Sequence, residues 1–259
     1  MQEALPPRLG CVQYLNARPL ARGWPGTIQF GHPSLLCRRL AAGELDVALV
    51  SSFEFLRNPI YSIVDDVAIA SHGPVYSVFV AHAAGQNFRE IEIDPASRTG
   101  LALMRCLLRE RHQLVNEGPL PDDNLSPLDG QRARLLIGDQ AIRFRQKYGE
   151  RYSYWDLGEA WHSLTGLPFV YALWLIRPEV VQAKTIAASL RAVRDQNMTE
   201  LEEIIREEKE FSPEFCAFYY RNCLRFGFGE KEKKGLQSFQ DLCAKHGLLE
   251  NGVDQLRIV

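Results

Sequence analysis

The chain has 259 residues, 46% hydrophobic and 24% charged, with a formal net charge of −2. That is ordinary for a globular protein with a real core, in one large domain or two modest lobes. Near-neutral charge excludes the strong field that nucleic acid or an anionic membrane surface requires of its partner. The opening Met1-Gln-Glu-Ala-Leu-Pro-Pro-Arg8 is too polar for a signal peptide. No stretch reaches the roughly 20 apolar residues that span a bilayer, so a cytoplasmic protein without a membrane partner is expected. Strands are predicted over 9–14 and 27–30. A helix over 34–42 follows, opened by Pro33-Ser34 and closed by Gly43, and then a strand over 46–50. Such alternation argues for a parallel sheet. An apolar run over 60–69 and a strand around 75–81 come next, joined by Gly73-Pro74. Ser97 or Thr99 then caps a helix over 101–108.

Residues 116–130, rich in Pro, Asp, Asn and Gly, form the clearest loop. A short buried strand over 135–137 leads to Asp139, an N-cap candidate for a basic helix running to Tyr148. The run 165–176 is apolar and aromatic enough for a central strand, with Pro168 marking a bend. Beyond Pro178 the strands stop. Helices are predicted over 179–195, 199–209, 212–225 and 230–246, the last ended by Gly247. This helical tail is expected to brace one lobe, and its Glu-rich run 200–210 to form a solvated face. The six cysteines (11, 37, 106, 216, 223, 243) are scattered without a C-x-x-C pair, which suits buried reduced thiols. Six histidines show no metal-ligand spacing.

Short polar residues terminate most apolar runs in the first two-thirds. Asn16 follows Val12–Leu15, Ser51-Ser52 follow Val47–Val50, and Ser77 follows Gly73–Tyr76. Asp94-Pro-Ala-Ser97-Arg98-Thr99 follows Ile91–Ile93, and Gly138-Asp139 follows Leu135–Ile137. Thr165-Gly166 precedes Leu167–Trp174. In open α/β sheets the strand ends face the ligand crevice. Amides, hydroxyls and one guanidinium there would grip a small oxygen-rich anion, and no nucleophile–base pair stands out. Ser97, Arg98 and Thr99 before a helix make a natural carboxylate site, with a plain N-cap and an outward arginine as the alternative. Gly166 equally suits a tight turn. Asn16 and Ser77 have structural alternatives as a turn residue and a strand-end hydroxyl. Glu54 and His72 are the side chains available as a proton acceptor, or else helix and turn residues. Tyr148, Tyr152, Tyr154, Trp155 and Trp161 form a packing or cleft-wall cluster.

Several of these blocks, in this order, resemble one family. They are Gly10-Cys-Val-Gln-Tyr-Leu-Asn16-Ala-Arg-Pro19-Leu20, Gly43-Glu-Leu-Asp46-Val-Ala-Leu-Val50-Ser51 and Gly73-Pro-Val-Tyr-Ser77-Val78. Asp94-Pro-Ala-Ser97-Arg98-Thr99, Leu136-Ile-Gly138-Asp139-Gln-Ala141 and Asp156-Leu-Gly158-Glu-Ala-Trp161 before Thr165-Gly-Leu-Pro-Phe-Val170 complete the set. Residues 8–178 are similar to the chorismate dehydratases of the futalosine route to menaquinone. Gly100 departs from the family pattern, which commonly has a serine there.

The resemblance implies an α/β, two-lobed, periplasmic-binding-protein-like (type II) fold with a helical C-terminal tail. Lobe one would comprise 1–81 and 172–259, lobe two 82–171, with the ligand cleft between them. The implied reaction is loss of water from chorismate, a dianionic small molecule, to give 3-[(1-carboxyvinyl)oxy]benzoate, with no metal or organic cofactor. By position in the family, Asn16 and Ser77 would be catalytic. Ser51, Ser97, Arg98, Thr99, Thr165 and Gly166 would bind substrate, and the substrate's own enolpyruvyl carboxylate would serve as proton acceptor. The rival readings are a non-catalytic solute-binding protein on the same scaffold and the 1,4-dihydroxy-6-naphthoate synthase of the same pathway. An effector lobe of a transcription factor is the weakest alternative, since no helix-turn-helix segment is expected before the first strand.

Overall fold

A computed structural model describes residues 6–85, 88–94, 97–128, 130–250 and 255–259. Among these the strands are β1 (Leu9–Cys11), β2 (Ile28–Phe30), β3 (Val47–Ser51), β4 (Ser62–Ser71), β5 (Val78–Ala83), β6 (Glu90–Ile93), β7 (Asn116–Pro119), β8 (Arg132–Ile137), β9 (Tyr152–Asp156) and β10 (Phe169–Ile176). The α-helices are α1 (Arg18–Ala21), α2 (Pro33–Ala41), α3 (Ser52–Arg57), α4 (Arg98–Glu110), α5 (Gly138–Tyr148), α6 (Leu157–Thr165), α7 (Ala183–Thr199), α8 (Leu201–Glu207), α9 (Pro213–Phe218) and α10 (Glu230–Lys245). The chain divides into two compact units. The first takes the described residues of Met1–Ala70, Val170–Glu230 and Val253–Val259, and the second those of Ser71–Phe169 and Lys231–Gly252.

Unit one is built on a sheet of order β2-β1-β3-β10-β4. β1 lies parallel to both β2 and β3, whereas β10 runs antiparallel to β3 with Ala172 opposite Ser51. The βα alternation of β1, β2 and β3 yields the parallel pairing expected of it, and the antiparallel β10 makes the sheet as a whole a mixed one. α2 starts on Pro33, buries Leu36, Cys37 and Leu40, and is followed by Gly43 at φ +75°, a conformation glycine adopts without strain. The segment expected as a loop after β1 forms a 3-10 turn, Leu15–Ala17, and then α1. Behind Pro178 come α7, α8 and α9, and the last continues into a π-helical turn, Tyr219–Cys223, instead of one helix over 212–225.

Unit two holds a sheet of order β7-β6-β8-β5-β9. β6 is parallel to β7 and β8, while β5 is antiparallel to β8 and β9. Its core joins Phe79, Ala81, Leu136, Ala141, Phe144 and Tyr152. A second aromatic cluster sets Trp161 edge-on to Phe169 and Phe239 of α10, with centroids 5.3 and 6.1 Å apart. The predicted loop 116–130 contains the edge strand β7. The apolar run 165–176 becomes a strand only from Phe169, and 152–165 forms β9 and α6. The C-terminal helix α10 belongs mainly to unit two, although the whole tail was expected in lobe one. All six cysteines are buried thiols, and burial pushes Cys11 up to about 12.

Candidate active site

β1, β2 and β3 run in one direction, so their carboxyl ends share an edge of the unit-one sheet, and β10 begins at that edge. Asn16 lies in the 3-10 turn that follows β1. Its Oδ1 is buried and receives no hydrogen bond. A buried amide oxygen left so costs about 1–3 kcal/mol, and such exceptions call for a reason beyond closing a turn. The turn itself is held by the helical tail. Tyr220 Oη donates to the Leu15 carbonyl at 2.9 Å, and burial raises the phenol's pKa, keeping it a donor. Asn197 Nδ2 donates to the carbonyls of Pro19 and Arg22 at 3.0 and 2.8 Å. Arg18 pairs with the buried Glu208 at 2.7 Å. Ser51 ends β3 and sits at the N-cap position of α3 without capping it through its side chain. Next to it, Ser52 Oγ donates to the Val170 carbonyl at 2.7 Å, tying β3 to β10. Glu54 is buried within α3, 7% exposed.

In unit two the antiparallel course of β5 brings its first residue to the edge where β6, β8 and β9 end. The electropositive N-termini of α4, α5 and α6 lie along this edge. Ser77, fully buried, stands immediately before β5, at the start of a strand instead of the end that its sequence position suggested. Its N–H closes a tight turn onto the Val75 carbonyl at 2.8 Å, and its own carbonyl accepts from Gly138 N–H at 2.8 Å. Tyr76, between them, has φ +67°. The Arg145 guanidinium covers the Tyr76 ring at 4.2 Å and the Tyr154 ring at 5.0 Å. Burial pushes the Tyr154 phenol up to about 12.

Asp156 organises this corner. Its carboxylate accepts from the N–H groups of Val75 and Tyr76 and, as the N-cap of α6, from those of Gly158 and Glu159. Burial is the largest influence and raises its pKa, against the four hydrogen bonds that lower it. Residue-by-residue reading treated Asp156 only as part of a motif. The available signal was the Asp156-x-x-Glu159 spacing at the end of an aromatic run, an N-terminus signature.

At α4, Ser97 occupies the N-cap position without a side-chain capping bond. Arg98 is half-buried and Thr99 buried. Pro95 and Ala96 of the same motif lie outside the described residues. Gly100 faces β8 and β5: a Cβ there would meet Ile137 Cγ2 at 3.1 Å and Val78 Cγ1 at 3.6 Å. Asp139 is not the N-cap of α5. That position belongs to Ile137, since Gly138 at φ +60° starts the helix, and Asp139 places its charge in the first turn. Thr165 and Gly166 close α6. Thr165 Oγ1 donates to the Trp161 carbonyl at 2.9 Å and accepts from Leu167 N–H at 3.1 Å, while Gly166 adopts the left-handed cap at φ +69°. His72 is exposed, set edge-on to His162 at 4.4 Å. Among the described residues, no three His, Cys, Asp or Glu side chains gather as a metal-binding set.

Each unit therefore carries a polar sheet edge, one with Asn16 and Ser51, the other with Ser77 and Ser97–Thr99. A family model described as menaquinone biosynthesis matches residues 7–245. The chain belongs to this menaquinone biosynthesis family. It is 30% identical over 261 residues to the chorismate dehydratase of Thermus thermophilus, covering 90% of this chain and 93% of that one. With the chorismate dehydratase of Campylobacter jejuni it shares 25% identity over 236 residues, covering 89% and 90%. A Candida albicans protein described as exhibiting the generic periplasmic binding protein fold superposes with a TM-score of 0.64 at 14% identity, covering 96% of this chain and 93% of that one. This member of the menaquinone biosynthesis family thus has the periplasmic-binding-protein fold, with a mixed sheet in each unit. No helix among its described residues is long and apolar enough to cross a membrane.

Proposed function

We propose that this protein is a chorismate dehydratase, a cytoplasmic hydro-lyase converting chorismate to 3-[(1-carboxyvinyl)oxy]benzoate for menaquinone biosynthesis. The observation that carries the reading is its match, over nine-tenths of its length, to the Thermus thermophilus chorismate dehydratase at 30% identity. The chemistry of the two edges supports it. The hydrogen on the ether-bearing ring carbon is acidic because the adjacent diene conjugates with the ring carboxylate. Its loss, with departure of the neighbouring hydroxyl as water, makes the ring aromatic, so the driving force lies in the substrate. What remains for the protein is to hold a dianion, stabilise charge moving into the ring carboxylate and help the hydroxyl leave as water, with the ring proton that the substrate's carboxylate has taken up as the proton it carries away.

In this proposal both edges serve one substrate. Asn16, whose amide is neither acid nor base, orients and polarises the ring, and Ser77 hydrogen-bonds the leaving hydroxyl or the enolate oxygen. Ser97, Arg98 and Thr99, with the N-terminus of α4, take a carboxylate, and Ser51 adds a hydroxyl contact. Thr165 and Gly166 shape the turn into β10. The substrate's enolpyruvyl carboxylate accepts the ring proton, which would account for the absence of a histidine or carboxylate among the proposed contacts.

Incubation with chorismate tests the proposal: diene absorbance is lost and a product lighter by one water appears. Tight binding with an unchanged spectrum would instead make this a solute-binding protein. Normal turnover of a chorismate analogue without the side-chain carboxylate would refute the substrate as its own base.

A further inference from the structure

The turn before β5 is strained, and one carboxylate holds it. Ser77 N–H bonds to Val75 carbonyl at 2.8 Å across a single residue, and that residue, Tyr76, has φ +67°. This is the positive-φ form of the three-residue γ-turn, rare for any residue and sparsely populated for a bulky one. Such strain persists only where the surroundings over-determine it. Here they do. The Val75 and Tyr76 N–H groups, which nothing in the turn itself can satisfy, both point to Asp156, at 3.1 and 2.8 Å. Arg145 covers the Tyr76 ring, and Gly138 N–H fixes the Ser77 carbonyl. Asp156 itself is fixed by α6, whose Gly158 and Glu159 N–H groups it caps at 2.9 and 3.0 Å.

We propose that Asp156 is a positioning residue for the reaction: by holding the Val75–Tyr76 amides it sets the Ser77 hydroxyl at the distance and angle its role requires. The proposal rests on the reading of Ser77 given above. Asp156 touches no substrate and acts only through the turn. Its carboxylate serves two elements at once, so capping α6 and positioning Ser77 can be separated by choosing replacements that keep one task and lose the other.

The test is steady-state kinetics of the full chain with chorismate. Asp156→Ser retains a hydroxyl that caps α6 but cannot reach two further amides. The proposal expects a folded protein whose kcat falls about 100-fold while KM stays within about threefold, the pattern of a misplaced group that acts in the transition state. Adding Tyr76→Gly to that variant removes the backbone strain that opens the turn, and about tenfold of the lost kcat returns. A wild-type kcat in Asp156→Ser, or a loss that Tyr76→Gly leaves untouched, overturns the proposal. Should the serine variant fail to fold, Asp156→Asn, with a single oxygen to accept, carries the same two readouts. Ser77→Ala measured in parallel separates the failures. If Ser77→Ala is fully active, the reading of Ser77 falls and takes this proposal with it. An inactive Ser77→Ala beside a fully active Asp156→Ser refutes the positioning role alone.

Discussion

Asn16 and Ser77 stand on sheet edges that are held in different ways. The Asn16 turn is secured by side chains from the C-terminal tail, Asn197 and Tyr220, 178 and 205 residues away from the carbonyls they bind. The Ser77 turn is secured by Asp156, 80 residues away, from a strand that pairs directly with β5. One support depends on docking a separate helical layer, the other on the register of a single sheet. The comparison teaches that a helical tail with no motif of its own can hold a turn far from it in sequence. Removing a tail contact should disturb Asn16 while leaving the Ser77 corner intact.

The largest effects are expected at the edges themselves. Ser77→Ala and Asn16→Ala should each lower kcat by about 100- to 1,000-fold, the usual loss on deleting one preorganised hydrogen-bonding group, with unfolding midpoints near wild type. Wild-type turnover in either variant would remove that residue from the site. Next comes the tail. Asn197→Ala strands one buried and one part-buried carbonyl and should cost about 1–3 kcal/mol in stability by urea denaturation. It should also depress kcat through Asn16. Unchanged kcat in the folded variant would sever the tail from the site.

Arg98→Ala should raise KM roughly tenfold with kcat nearly constant, because it removes binding shared by ground and transition states. A fall in kcat at constant KM would place Arg98 at the reacting centre instead. Smallest is Thr165→Val, which loses bonds to the Trp161 carbonyl and Leu167 N–H and should cost about 1 kcal/mol of stability. Its KM should change by less than about twofold if the hydroxyl only closes α6. A larger rise in KM would return Thr165 to the ligand.

Much of the framework was legible because local signals agreed. Pro33 and Gly43 bracket α2, Gly247 follows α10, and the apolar run around Val47 becomes β3 within one residue. The parallel course of β1, β2 and β3 was legible in their alternation with helices. The antiparallel course of β10 and β5 was not, because apolar-run patterns do not distinguish the two pairings. β7, Asn-Glu-Gly-Pro, has no hydrophobic pattern and exists through pairing with β6. β9 and α6 were hidden in an aromatic cluster that the sequence offered as packing or as a cleft wall. At the candidate site, polar residues at chain breaks marked Asn16, Ser51 and Ser77. The positive φ of Tyr76 and the four amides on Asp156 depend on strands distant in sequence, and no local pattern encodes them. Asp139 was misjudged as a cap because Gly138 begins the helix one residue earlier.

The account claims that Asn16 and Ser77 act on the same molecule of chorismate, and a double-mutant cycle on kcat/KM tests this most directly. Residues that work as a unit are strongly non-additive. The account predicts that Asn16→Ala combined with Ser77→Ala loses little more than the worse single variant. Losses that multiply in full would contradict it, since they would mean that the two edges act independently.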